Sequence, residues 1–236
     1  MAAPYSYAAL TLGGGHGGPP LQGCYFILAT LIFPAHLNTK VSRMSVQTTH
    51  DEFRRRVALE TGIGEMPFGG EEFLTEEQAS AKGEALRFFQ LAYEAQMRGD
   101  LDEAVDLYKQ SIEAYATAEA HTFLGWTYSF MSLPEQAIEE CHRAIEVDPD
   151  FGNPYNDIGA YLIEQGNLHA AIEWFKRAMK ASRYECYFYP HFNLGRVYEA
   201  LGRSREALRE YKTAIDLNPK YALAMRAFRK LQGKLN

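Results

Sequence analysis

Charge is absent from the start of this 236-residue chain: no Lys, Arg, Asp or Glu precedes Lys40. A secretory leader carries basic residues ahead of its apolar run, so the run Cys24–Phe33 does not read as one. Leu21-Gln22-Gly23-Cys24 is not a working lipoprotein box either, because the apolar stretch follows the cysteine instead of preceding it. The abrupt change of composition at Lys40–Arg43 points to residues 1–43 as a non-native or disordered segment, with Met44 as the expected start. No apolar run reaches the roughly 18–20 residues of a membrane-spanning helix. Three cysteines, Cys24, Cys141 and Cys186, are too few for a disulfide framework or a Cys-rich zinc site. A basic surplus is also missing. The net charge of −6 argues against non-specific nucleic-acid binding. These absences leave an expected soluble protein of a reducing compartment, most simply the cytoplasm.

Signatures of chemistry are equally scarce. There is no G-x-S-x-G and no Walker loop, and none of the seven histidines forms an H-x-x-x-H pair. Gly13, Gly15 and Gly18 spell G-x-G-x-x-G, but Pro19-Pro20 follow at once and no βαβ pattern surrounds them. No catalytic residue, metal ligand or cofactor is expected. The carboxylates Glu139, Glu140, Glu206 and Glu210 read as solvated side chains near Arg143 and Arg209. Cys141 reads as an inert buried thiol, and Cys186 as an exposed one in the insertion Arg183–Tyr187.

What is present is helical and repetitive. His50–Glu60 has the pattern of a short amphipathic helix, with Phe53, Val57 and Ala58 on one side, and Gly62 to Gly70 form a connector. Thr75-x-x-Gln78 has capping-box spacing and should start a helix. Beyond residue 84 the chain repeats itself. Ala104, Ala137, Ala171 and Ala207 recur every 33 to 36 residues. Twelve residues before them stand Ala92, Gly125, Gly159 and Gly195, and one before those Leu91, Leu124, Ile158 and Leu194. Four residues after the anchors come Tyr108, Cys141, Phe175 and Tyr211, then Ser111, Ala144, Ala178 and Ala214. Small residues belong where two helix axes cross, and a larger side chain one turn on fills the gap to the next unit. Gly99, Gly166 and Gly202 suit left-handed caps; Ser132 replaces the fourth glycine, so its turn should differ. Pro149 and Pro219 should end second helices.

This register resembles the tetratricopeptide repeat family over about residues 85–221. The resemblance implies an all-α, right-handed solenoid of about four helix pairs, with units near 85–117, 118–151, 152–185 and 188–221. Ahead of it, the irregular N-terminal part divides into 1–43 and a linking 44–74; the solenoid region spans 75–221 and a capping helix occupies 222–236. Leu223, Phe228 and Leu231 should cover the last unit, with Arg226, Arg229, Lys230 and Lys234 in water.

In such proteins the first helices line a concave groove. The matching positions include Leu86, Gln90, Gln96 and Met97 in the first unit. The partner-binding set is expected to be Phe89, Tyr93, Phe123, Trp126, Phe130, Asn156, Asp157, Phe192, Asn193 and Arg196, aromatic in the first half and polar in the second. One of Phe88 and Phe89 should be core and the other groove-facing, and residues 65–74 folding back over Phe89 and Tyr93 is the competing arrangement. The chaperone-tail clamp is missing, since Phe89 and Tyr93 replace its Lys-x-x-x-Asn. The implied function is a non-enzymatic scaffold that holds another polypeptide, with no nucleic acid or small-molecule substrate. Two alternatives are an envelope assembly factor anchored by residues 24–33 and the regulatory subunit of an enzyme complex.

Overall fold

The computed structural model describes residues 75–235, and the expected helix near 50–60, the glycine connector and the apolar run all lie outside them. The described residues form nine helices and no named strand: α1 (Glu76–Arg98), α2 (Leu101–Ala114), α3 (Ala118–Phe130), α4 (Pro134–Val147), α5 (Asn153–Glu164), α6 (Leu168–Ala178), α7 (Phe188–Ala200), α8 (Ser204–Leu217) and α9 (Ala222–Leu235). The fold is an all-α solenoid. Its chief contacts run within the pairs α1–α2, α3–α4, α5–α6 and α7–α8, and each second helix packs on the first helix of the next unit. First helices also touch one another, α1 with α3 and α5 with α7.

Local chemistry sets the boundaries. The Thr75 side chain accepts from Gln78 N–H and Gln78 Oε1 accepts from Thr75 N–H, the reciprocal cap expected from the spacing. Gly99, Gly166 and Gly202 take φ of +89°, +78° and +73°. Ser132 adopts the same geometry at φ +61°, contrary to the expectation of a different turn. Its N–H donates to Ser129 O, and Leu133 N–H donates to Tyr128 O, as Gly99 and Asp100 do toward Gln96 O and Ala95 O. The two hydrogen bonds outweigh the left-handed strain on a non-glycine residue, roughly 1–2 kcal/mol. Asp148 and Asn218 cap the helices that their following prolines terminate.

Packing explains the repeat. All four anchor alanines are fully buried. A Cβ on Gly159 would lie 2.6 Å from Phe175 Cε1, and one on Gly195 2.5 Å from Tyr211 Cδ1. The glycines are therefore seats for the aromatic ring of the partner helix. Tyr108 Oη–H donates to Gln96 Oε1 at 2.8 Å, and Tyr211 Oη–H to Glu199 Oε2 at 2.9 Å, so the ring tip is satisfied by the residue twelve positions earlier in both units. At the end of the solenoid α9 buries Ala224 and Leu231 with Phe228 partly covered. Leu223, expected in this contact, is instead exposed, because the face of α9 against α8 is phased on Ala224.

The insertion between the third and fourth units is tied down by Arg183. Its guanidinium meets Asp148 Oδ2 at 2.8 Å and Glu119 Oε1 at 2.6 Å and lies 4.2 Å from the centroid of Phe151. Backbone bonds Gly152 N–H to Arg183 O and Arg183 N–H to Asp150 O complete the strap. Cys186, expected to be exposed, is 4% exposed and is not a free thiol, so this loop is packed rather than open.

Candidate functional site

The ten side chains singled out from the sequence all sit on first helices, in two runs. Phe89 and Tyr93 on α1 meet Phe123 on α3, with ring centroids 5.0 and 5.9 Å apart. Phe123 continues to Trp126 at 5.7 Å and Trp126 to Phe130 at 5.2 Å. Spacing of three and four residues on α3 puts these rings on one helical stripe. The mostly T-shaped contacts are the favoured arrangement for aromatic quadrupoles.

The second run is polar. Asn193 Nδ2 on α7 donates to Asn156 Oδ1 on α5 at 3.2 Å, and Asn156 Nδ2 donates to Asp157 Oδ1 at 3.4 Å. Arg196 Nη1 donates to Asn193 Oδ1 at 3.2 Å, and its guanidinium stands 6.0 Å from the Phe192 ring. Asn156, Asp157 and Asn193 are buried, so their mutual hydrogen bonds fix the amide orientations in a low-dielectric setting. Arg196 is only partly buried.

Burial divides the set. Phe89 belongs to the core: it packs edge-on against Tyr108 of α2 at 5.4 Å as well as against Phe123, whereas Phe88 is the half-exposed neighbour. Phe123 is fully buried and Trp126 nearly so. Gln96, matched to the groove by register, is buried and holds Tyr108. Thr122 is likewise buried and donates to Ala118 O. Phe130, by contrast, is 38% exposed at the end of the aromatic run. Tyr93 is half-buried like Arg196, so the solvent-reachable members of the two runs are Phe130, Tyr93 and Arg196.

Several structural residues escaped the sequence reading. Glu140 is not solvated: it is buried, with Oε2 2.7 Å from His121 Nδ1 and Oε1 accepting from Arg143 Nη1 at 2.6 Å. His191 and Glu210 repeat the pair at the same 2.7 Å. The common spacing of nineteen residues was the available signal. Burial pushes the Cys141 thiol well above its ordinary range, with Asp157 and Glu140 adding to the effect. Among the described residues no group of three His, Cys, Asp or Glu side chains is placed to hold a metal, and no helix is long and apolar enough to cross a membrane.

Comparison with known proteins gives one family. Residues 118–151 and 150–220 match tetratricopeptide repeat models. Human tetratricopeptide repeat protein 6 is 35% identical over 109 residues, which are 46% of this chain and 20% of that protein, so the match spans a fifth of the relative's length. Among solved structures, Pseudomonas aeruginosa pilF superposes with a TM-score of 0.62 at 21% identity, covering 66% of this chain and 70% of its own. MamA gives 0.53 at 25% identity, with 64% and 82% covered. YrrB, a repeat protein with an unusual peptide-binding site, gives 0.51 at 21%, with 65% and 77% covered. Four in-phase helix pairs, their seated aromatics and these matches have one reading: the repeats of this chain, matched over residues 118–220, are tetratricopeptide repeats.

Proposed function

We propose that the protein is a non-enzymatic scaffold whose first helices hold an extended segment of a partner polypeptide. The observation that carries this reading is the pairing, on successive first helices, of an aromatic run ending in exposed Phe130 with a hydrogen-bonded polar run ending in Arg196. Aromatic anchors bury large area at small entropic cost, and an oriented amide and guanidinium row fixes the direction and register of a backbone. Tetratricopeptide repeats are generally interaction modules, which supports this class of function. Cytoplasmic residence belongs to the same proposal.

A test is selection of a random peptide library displayed on phage against the full chain, followed by counter-screening. The Phe130→Ala/Arg196→Ala double variant should lose at least tenfold in affinity for the enriched peptides while melting like wild type. Failure to enrich any peptide, or enriched peptides that bind the double variant equally well, would refute the assignment.

A further inference from the structure

The two ends of the solenoid differ in charge and in completeness. Residues 76–113 carry nine Asp or Glu against four Lys or Arg, whereas residues 203–236 carry nine Lys or Arg against three acids. Four cations lie on the exposed surface of α9: Arg226, Arg229, Lys230 and Lys234, flanked by exposed Leu223 and Leu235. Lys234 reaches Glu199 at 3.5 Å; α9 itself contains no acid.

At the other end, the positions that are covered in later units are open among the described residues. Leu124, Ile158 and Leu194 are 1–3% exposed because the preceding unit covers them, but their equivalent Leu91 is 44% exposed. The position three residues on is filled by buried Thr127, Tyr161 and Val197 in the later units and by exposed Glu94 in the first. The first pair also presents Asp102 and Asp106 to solvent. A repeat array normally covers such a face with another unit.

We propose that the basic face of α9 docks on the acidic first unit of a second copy of this chain, continuing the solenoid head to tail. The complementary charge is the chain's own, and each end offers leucines that the contact would cover. Such a contact is heterologous, so it leaves a free end at each step and builds open oligomers rather than closed dimers. It uses neither Phe130 nor Arg196 and stands independently of the groove reading. It draws much of its strength from exposed charges and is therefore weakened by salt.

Sedimentation velocity on the full chain tests this with two charge reversals, Arg226→Glu/Arg229→Glu/Lys230→Glu and Glu94→Lys/Asp102→Lys/Asp106→Lys. At about 50 mM NaCl the wild type should grow past a dimer as concentration rises, and at about 0.5 M it should dissociate. Each reversal alone should be monomeric with an unchanged circular-dichroism melt. Mixed together they should reassemble, since each now meets an end of opposite sign. If a reversal lowers the melt, the matching neutral set with Gln or Asn gives the same reading through its weaker association. A wild type that stays monomeric, association that ignores salt or the reversals, a mixture that fails to reassemble, or α9 cations that retain only nucleic acid would each overturn the proposal.

Discussion

His121 Nδ1 stands 2.7 Å from Glu140 Oε2, deep between α3 and α4, and two units later His191 and Glu210 repeat the contact at the same distance. The positions that correspond in the first unit are Phe88 and Leu107, and in the third Tyr155 and Trp174, whose rings lie 6.1 Å apart. The repeat therefore uses one site in two ways, as a hydrogen-bonded His–Glu pair or as an apolar contact. Both satisfy the rule that a buried polar group needs its partner.

This relationship predicts a strongly non-additive pair of substitutions. Glu140→Leu alone strands the His121 ring, and His121→Phe alone leaves the buried carboxylate with Arg143 as its remaining partner, each costing about 2–4 kcal/mol. The double variant His121→Phe/Glu140→Leu copies the first unit and should recover most of that loss. Urea unfolding of the four proteins measures the coupling, and additive single effects would contradict the account.

The helix crossings give a second prediction. Gly159→Ala drives a methyl into Phe175 and should destabilise by roughly 1–3 kcal/mol. Ser132→Gly relieves a left-handed φ at an exposed turn, and even after the greater freedom of glycine in the unfolded chain it should gain a few tenths to about 1 kcal/mol. Thermal melts should shift in opposite directions.

The period, the anchor alanines, the seating of an aromatic on a small residue and the left-handed glycines were legible because each is a local rule repeated in phase. Ser132 departs from its local propensity because two backbone hydrogen bonds hold its turn. Glu140 and Arg183 were missed for another reason. Both bear charge, and solvent exposure is the usual fate of charge until a partner nineteen or thirty-five residues away is known. Side-chain phase on a first helix was only partly readable: Phe89 sits where the groove and the core meet, and the contact with Tyr108 decides for the core.

That phase changes what a binding mutant should look like. Phe123→Ala empties a fully buried site and should cost about 3–5 kcal/mol, so its loss of binding would be uninformative. Phe130→Ala removes a partly exposed ring and should cost under about 1 kcal/mol. Chemical denaturation of both separates the core of the aromatic run from its accessible end.

The strap at Arg183 carries a prediction about local stability. The ion pairs are half-exposed, and solvent screening leaves them worth a small fraction of their vacuum strength, so Arg183→Ala should lower global stability by only about 1 kcal/mol. Residues 179–187 should nevertheless exchange amide hydrogens much faster, because the loop loses its anchor on Asp148, Glu119 and Phe151. Arg183→Lys should not restore protection, since an ammonium cannot span two carboxylates and stack on a ring at once. Hydrogen exchange by mass spectrometry reads the segment directly.

Alkaline pH should be the chain's weak side. Burial raises the phenols of Tyr108, Tyr161 and Tyr184 well above their ordinary range, and burial raises Tyr211 and Tyr221 as well, with Glu199 reinforcing the effect at Tyr211. In the unfolded chain these groups ionise near pH 10, and the buried Cys141 thiol somewhat lower. Below that range both states hold the protons and the contribution is intact. As pH climbs past it, the unfolded state releases protons that the folded state retains, so stability falls with pH toward the folded values. Each such tyrosine withdraws up to about 1.4 kcal/mol per pH unit in that window. Urea unfolding at pH 8, 9.5 and 11 should show a steepening loss, and phenolate absorbance should rise in two stages, the later coinciding with loss of helicity. Unchanged stability across that series would mean that these rings reach solvent in the folded protein.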